Sequence, residues 1–313
     1  MTGDTAKFIR VGEIVEVLAP SEIIETLDGD GTLDGLPFMP EMIEYCGKKF
    51  RVLSKASKTC VGIMGPDLTL QMAEFKNDDV FFLEGLRCTG IAHGGCGRSC
   101  RLFWKAAWLR KAAGQAEAGP TCQADSEKLR GRLKTRRDEK TYFCQSTRLR
   151  ESTGTISRSK KIVKTCEDLL SGSCTGTDAI MATTSPVVRK LLEKLKPANP
   201  GKTILSTPEE TLSLQPGELV DVKPIREIEA TLDANGKNRG LAFIPDMKRY
   251  CGKRFRVRSR IERIILEHSG EMVEVRDTVL LEKNTCTYDH TFGGCPRNEF
   301  NYWREIWLRR VHQ

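Results

Sequence analysis

The sequence predicts a mainly β protein with short helices: two repeated SH3-like small barrels joined by a partly helical insert. Two observations predict it. First, the chain carries one segment twice, GLPFMPEMIEYCGKKFRV from Gly35 and GLAFIPDMKRYCGKRFRV from Gly240. The match runs upstream, where GEIVEVLAPSEIIETLDGDG answers GELVDVKPIREIEATLDANG. It also runs downstream, where GGCGRSCRLFWKAAWLR answers GGCPRNEFNYWREIWLR. Chance does not produce such repetition, and it overrides most local guesses about fold. Second, each copy packs about five short strands and tight turns into about 100 residues, which suggests a small barrel of the SH3-like kind.

Each copy opens on alternation, EIVEV at 13–17 in the first, which reads as a strand with one buried face. A short helical turn follows at 21–27. The stretch DGDGTLDG at 28–35 imitates a calcium loop, but its twelfth position is Met39, where a bidentate acid is required. It reads as a Gly/Asp turn. Pro40 suits the first position of a helix that Gly47 ends, and Pro245 and Gly252 repeat the pair. KKFRVLSKAS and DVFFLEGL read as further strands, and FWKAAWLRKA as a helix. On that helix Trp104 and Trp108 share a face, as do Trp303 and Trp307, and they read as core residues, with a binding platform as the rival.

Between the copies, SPVVRKLLEKLK reads as a helix near 185–196, with Ser185 as cap and Pro186 at its start. Pro197, Pro200 and Gly201 then break the chain. The GKT at 201–203 lacks the glycine that a phosphate-binding loop needs five residues earlier. The expected organisation is a first Cys/His-rich module at 1–112, a basic insert or linker at 113–215 and a second module at 216–313.

The 313 residues are 39% hydrophobic and 29% charged, a balance that suits packed domains. No apolar run is long enough for a membrane span, and no secretory signal is visible at the start. A cytoplasmic, reducing setting is therefore expected. There, twelve cysteines point to metal or redox chemistry before structural disulfides. The net charge of +8 suits an anionic partner such as nucleic acid. Much of the base, however, lies in KLRGRLKTRRDEK and RSKKIVK, which read as a solvated linker.

The repeat also sorts the cysteines. Cys46, Cys88 and Cys96 return as Cys251, Cys286 and Cys295, and a histidine stands between the last two of each trio, His93 and then His290. Three thiols and an imidazole form a standard closed zinc set, which would clamp a small barrel. The histidines are spaced differently, since His93 corresponds to Phe292. Buried thiols without metal, or a disulfide, remain the alternatives. Cys60, Cys100 and Cys144, with Cys122 as a further candidate, could gather a second metal or an iron–sulfur cluster, although no compact cysteine run supports them.

The motifs TLDGDGTLDGLPFMPEMIEYCGKKFRV, LEGLRCTGIAHGGCGRSCRLFWKAAWLR, YFCQSTRLREST and YWREIWLRRV resemble those of a widespread bacterial family of duplicated, Cys/His-rich proteins with SH3-like barrels. The resemblance covers nearly the whole chain. It implies that the residues matching Cys60, Cys88, His93, Cys96, Cys100 and Cys144 recur. It also implies a genomic setting of polysaccharide or specialised-metabolite synthesis. The family is functionally uncharacterised and brings no activity with it.

The four histidines fit no Ser/His/Asp arrangement, and neither a nucleophile elbow nor a dinucleotide fingerprint is present. Three functions remain. The first is a zinc-stabilised binding or accessory protein with a protein or polymer partner. The second is a metal- or iron–sulfur-dependent enzyme or redox protein centred near Cys60, Cys100 and Cys144. The third is a nucleic-acid binder that uses the basic insert.

Overall fold

Alternating apolar residues at the start of each copy pair with two neighbours, and the sheets grow from there. The computed structural model describes residues 9–64, 69–112, 122–156, 160, 207–286 and 297–311. The chain divides into two units, Met1–Arg158 with Arg263–Val273, and Ser159–Glu262 with Glu274–Gln313. The described residues are mainly β, with short helices and several sheets.

The first unit holds a five-stranded antiparallel sheet in the order Trp104–Lys105, Val80–Leu83, Lys49–Lys55, Ile14–Val17, Leu109–Lys111. Val15 and Val17 are fully buried, while Glu16 between them turns outward to Arg110, as period-two alternation requires. A second sheet joins Thr59–Met64, Thr69–Phe75 and Thr153–Thr155. In the second unit the order is Phe300–Arg304, Thr278–Thr285, Arg254–Arg260, Leu219–Val222, Leu308–Arg310. Each corresponding strand of the repeat occupies the same place. Even the register shift recurs, between Val52 and Ser54 in one sheet and between Val257 and Ser259 in the other.

The cores repeat as well. Phe38 meets Trp104 and Trp108 edge-on at 6.2 and 5.2 Å, and Phe243 meets Trp303 and Trp307 at 6.2 and 5.4 Å. Such edge-to-face pairs add to the large area that an aromatic side chain buries. Trp108 Nε1 donates to Thr26 Oγ1 at 3.1 Å and Trp307 Nε1 to Thr231 Oγ1 at 3.0 Å. All four tryptophans are fully buried, as core residues should be.

The helix expected over FWKAAWLRKA does not form. The chain runs as strand Trp104–Lys105, 3₁₀ turn Ala106–Trp108 and strand Leu109–Lys111. Pairing with Phe81 on one side and Val17 on the other engages the backbone in sheet ladders. The corner between the two strands still sends both indoles inward, so the spacing of four had a cause other than a helix. The helix expected at Pro40 is likewise a 3₁₀ turn, Pro40–Tyr45. The turn at 28–35 is built as the Gly/Asp reading requires, with Asp28 Oδ1 accepting the N–H groups of Asp30 and Thr32 at 2.9 and 2.8 Å. Asp233 does the same for Asn235 and Lys237.

The insert departs from a linker. Helix Gln123–Arg132 buries Leu129 completely, and Leu129, Cys144 and Leu149 complete the first core. The described residues 122–156 fall in the first unit. The reason is apolar: those three side chains gain a buried surface that a solvated linker would deny them. The helix expected near 185–196 and the GKT lie outside the described residues.

Candidate metal centre

The loop 88–100 owes its shape to its ends and its glycines. Cys88 N–H donates to the carbonyl of Cys100 at 2.8 Å, and Arg87 bridges to Arg101, so the loop closes on itself. Within it a 3₁₀ turn, Ile91–His93, is flanked by Gly90 and Gly94, both left-handed. A Cβ on Gly90 would collide with the Cys96 carbonyl, and one on Gly94 with the Tyr142 hydroxyl, so these two positions need glycine.

Three further segments meet this loop. The turn Pro40–Tyr45 brings Glu41. The insert brings Cys144, held in place by Gln145, whose side-chain amide accepts from Phe103 N–H at 2.9 Å and donates to Phe103 O at 2.8 Å and Pro37 O at 3.0 Å. The segment Arg263–Val273 brings Ile265, and Tyr142 N–H donates to Gly270 O at 2.8 Å.

Together they enclose a cavity of about 30 Å³ lined by Cys88, His93, Cys96, Cys100 and Cys144, with Met39 and Ile265 as apolar wall and Arg98 and Arg101 beside them. Three of the four thiol sulfurs accept hydrogen bonds: Cys88 from Gly90 N–H at 3.3 Å, Cys96 from Ile265 N–H at 3.4 Å, and Cys100 from the Ser146 hydroxyl at 3.5 Å. Burial pushes the Cys88 thiol strongly up, and the Glu41 carboxylate beside it adds to the effect. Burial raises Cys144 in the same way. Neither thiol ionises readily by itself, so a cation is what would favour the thiolates.

His93 is fully enclosed. Its Nδ1 lies 2.8 Å from Glu41 Oε1, and its Nε2 lies 3.1 Å from the Phe143 carbonyl. A carbonyl only accepts, so Nε2 carries hydrogen, and Nδ1 either donates to Glu41 or binds a metal. Burial works to raise the Glu41 carboxyl, but the hydrogen bond and charge of His93 outweigh it and hold the group below its ordinary range. Ala92 N–H also reaches Glu41 Oε1 at 3.2 Å, whereas Oε2 is buried with no hydrogen-bond partner. Glu41, Cys88 and His93 offer ligand atoms within 4.8 Å of one another, the one such group of three among the described residues.

The structure thus brings together Cys88, His93 and Cys96 of the first expected zinc set, and Cys100 and Cys144 of the expected second site. It separates Cys46 and Cys60 from both. Cys46 packs in the first core and borders a different, open groove of about 520 Å³ with Pro40, Ile43 and Lys48, and burial pushes its thiol up to about 12. Cys60 sits on strand Thr59–Met64 opposite Met72, away from the cavity lining. Cys122 is exposed next to helix Gln123–Arg132. In the second unit Cys251 packs against the core and Cys286 N–H donates to Glu299 O at 2.7 Å, the counterpart of the Cys88–Cys100 closure. His290 and Cys295 lie outside the described residues.

Sequence reasoning missed Glu41 and Gln145. Glu41 left one signal: the repeat keeps an acid there, Asp246, and both are buried at 8% and 7% exposure. Buried acids are seldom kept without a partner. Gln145 has no counterpart in the repeat and left none.

No protein-family model matches the chain, and no curated protein or solved structure is measurably similar to it.

Proposed function

We propose that this chain is a metal-dependent accessory protein whose first unit holds a thiolate-ligated centre. The observation that carries this reading is the convergence of four thiols, an imidazole and a carboxylate on one buried place, supplied by three separate segments. Buried polar groups at this density are costly unless they are satisfied, and a cation satisfies them together. The duplicated five-stranded sheets are the scaffold, read as SH3-like barrels. The second unit carries Glu299 where the first has Cys100, and we assign it to binding a protein or polymer partner.

A second reading, zinc, is favoured by the spacing of Glu41, Cys88 and His93. Three ligands with one open position suit a single ion, and the Nε2–H to Phe143 contact would fix the tautomer. Nucleic-acid binding draws less support. Of the insert's arginines, Arg136 stacks on Tyr142 at 4.3 Å and Arg148 pairs with Glu151 at 2.8 Å. No helix among the described residues is long and apolar enough to cross a membrane.

The test is the metal content of anaerobically purified full-length protein. We expect bound metal that Cys88→Ala abolishes and Cys286→Ala leaves in place. A parent protein that is metal-free and keeps its melting temperature in chelator would overturn the reading.

A further inference from the structure

The arrangement of the four thiols is more specific than metal binding in general. We infer that Cys88, Cys96, Cys100 and Cys144 hold an iron–sulfur cluster, with Glu41 and His93 forming the polar wall beside it. The inference rests on the metal-thiolate reading above and names its cofactor class.

Spacing is the first argument. Around a single zinc with bonds of about 2.3 Å, tetrahedral geometry sets sulfurs about 3.8 Å apart. Yet no three of the four described thiols have sulfurs within 4.8 Å of one another. All four nevertheless line one cavity. A cluster, whose irons and sulfides lie between the cysteines, is the thiolate-bound group that suits wider ligands.

Space and surroundings agree. The cavity of about 30 Å³ is more than a single water requires, roughly 10–15 Å³, so it offers room for more than a bare ion. Gly90 N–H, Ile265 N–H and the Ser146 hydroxyl already point at three of the sulfurs. Hydrogen bonds of this kind stabilise cluster thiolates and set their potential. Met39 and Ile265 give the cavity an apolar wall, and Arg98, whose guanidinium pairs with Glu267 at 2.7 Å, and Arg101 line it as well. His93 is left outside the ligand set, because both of its nitrogens already have partners at 2.8 and 3.1 Å.

The ligands also explain the chain's construction. Cys88, Cys96 and Cys100 come from one closed loop, while Cys144 comes from the insert, so the cluster would tie the insert to the barrel.

The experiment is anaerobic reconstitution of the full chain with ferric iron, sulfide and a thiol reductant that brings part of the iron to the ferrous state. Absorption spectra, iron and acid-labile sulfide analysis and circular dichroism are the readouts. We expect a brown protein with iron and sulfide in comparable amounts. The visible absorption should be lost in Cys96→Ala, Cys100→Ser and Cys144→Ala, and kept in Cys46→Ala, Cys60→Ala and His93→Gln. Cys100→Ser guards against misfolding, since Cys100 is only half-buried and serine preserves its size. A colourless chain that takes up zinc but no sulfide overturns the cluster and leaves the metal-thiolate reading intact. A chain that takes up neither overturns both. Loss of colour in a folded His93→Gln protein overturns the four-cysteine assignment.

Discussion

The two copies differ little where they pack and greatly where they are polar. The Trp104–Phe38 and Trp303–Phe243 pairs have the same centroid distance, 6.2 Å, and the indole–threonine hydrogen bonds agree to within 0.1 Å, at 3.1 and 3.0 Å. In the loops, by contrast, Cys100 becomes Glu299, which pairs with Arg297 at 3.0 Å, and Glu41 becomes Asp246, which pairs with Arg249 at 3.4 Å. Ion pairs stand in the second copy where the first gathers thiols. Close packing leaves few alternatives for a core, since a change of even one methylene is felt. A loop on that core is free to change its chemistry. Among the described residues, the two copies therefore share a scaffold and differ at the positions of Cys100 and Glu41.

The buried neighbours of the second unit's corner make the same point. Glu305 is fully buried and accepts the N–H groups of Leu212, Ser213 and Leu214, with Arg260 Nη1 at 2.8 Å. It fastens the entry to the second unit. The equivalent position in the first unit is Ala106, and there the neighbouring Lys105 ties Asp34 and Asp79 at 2.6 and 2.9 Å instead.

The largest expected effect tests whether the cores are equivalent. Trp108→Ala and Trp307→Ala should each destabilise their own unit by about 3–5 kcal/mol, the usual cost of emptying an aromatic site. Denaturant unfolding followed by the remaining tryptophans checks this. Losses that differ by more than about 2 kcal/mol would break the equivalence. A middle-sized effect tests the polar differences. Gln145→Ala should cost the first unit about 2–3 kcal/mol, because the N–H and C=O of Phe103 lose their buried partner. The same variant should leave the second unit's transition in place.

The smallest expected effect concerns acid. Burial works to raise the Asp34 carboxyl, but the Lys105 ammonium outweighs it and holds the group below its ordinary value. A carboxyl depressed on folding contributes stability above its unfolded pKa, about 3.9, and loses that contribution as pH falls through the lower folded value. The first unit should therefore weaken as pH drops below about 4, and Asp34→Asn should blunt that loss. Melting curves at stepped pH decide it; a variant as acid-sensitive as the parent would remove the Asp34–Lys105 pair from the account.

Much of the scaffold was legible because repetition compares a sequence with itself. TLDGDG against TLDANG identified the turn, and YCG twice marked the end of the Pro40 turn. The Trp pairs were legible as core but not as strand–turn–strand, because a spacing of four fits a helix and a sheet corner alike. Cys46 shows a related ambiguity. A cysteine kept in both copies can be kept by packing alone, and here the Cys46 thiol belongs to the apolar core.

Composition, periodicity and self-similarity belong to the chain itself. They determined the duplicated sheets, the buried tryptophans and a stock of thiols too large for packing alone. Tertiary structure alone decided which thiols meet. Cys144 reaches Cys88 through the hold of Gln145 on Phe103, and Ile265 reaches Cys96 from residues far along the chain. Periodicity records which face of an element is buried; it holds no record of which distant segment covers that face. The centre is made of such coverings, so it came into view only in the folded chain.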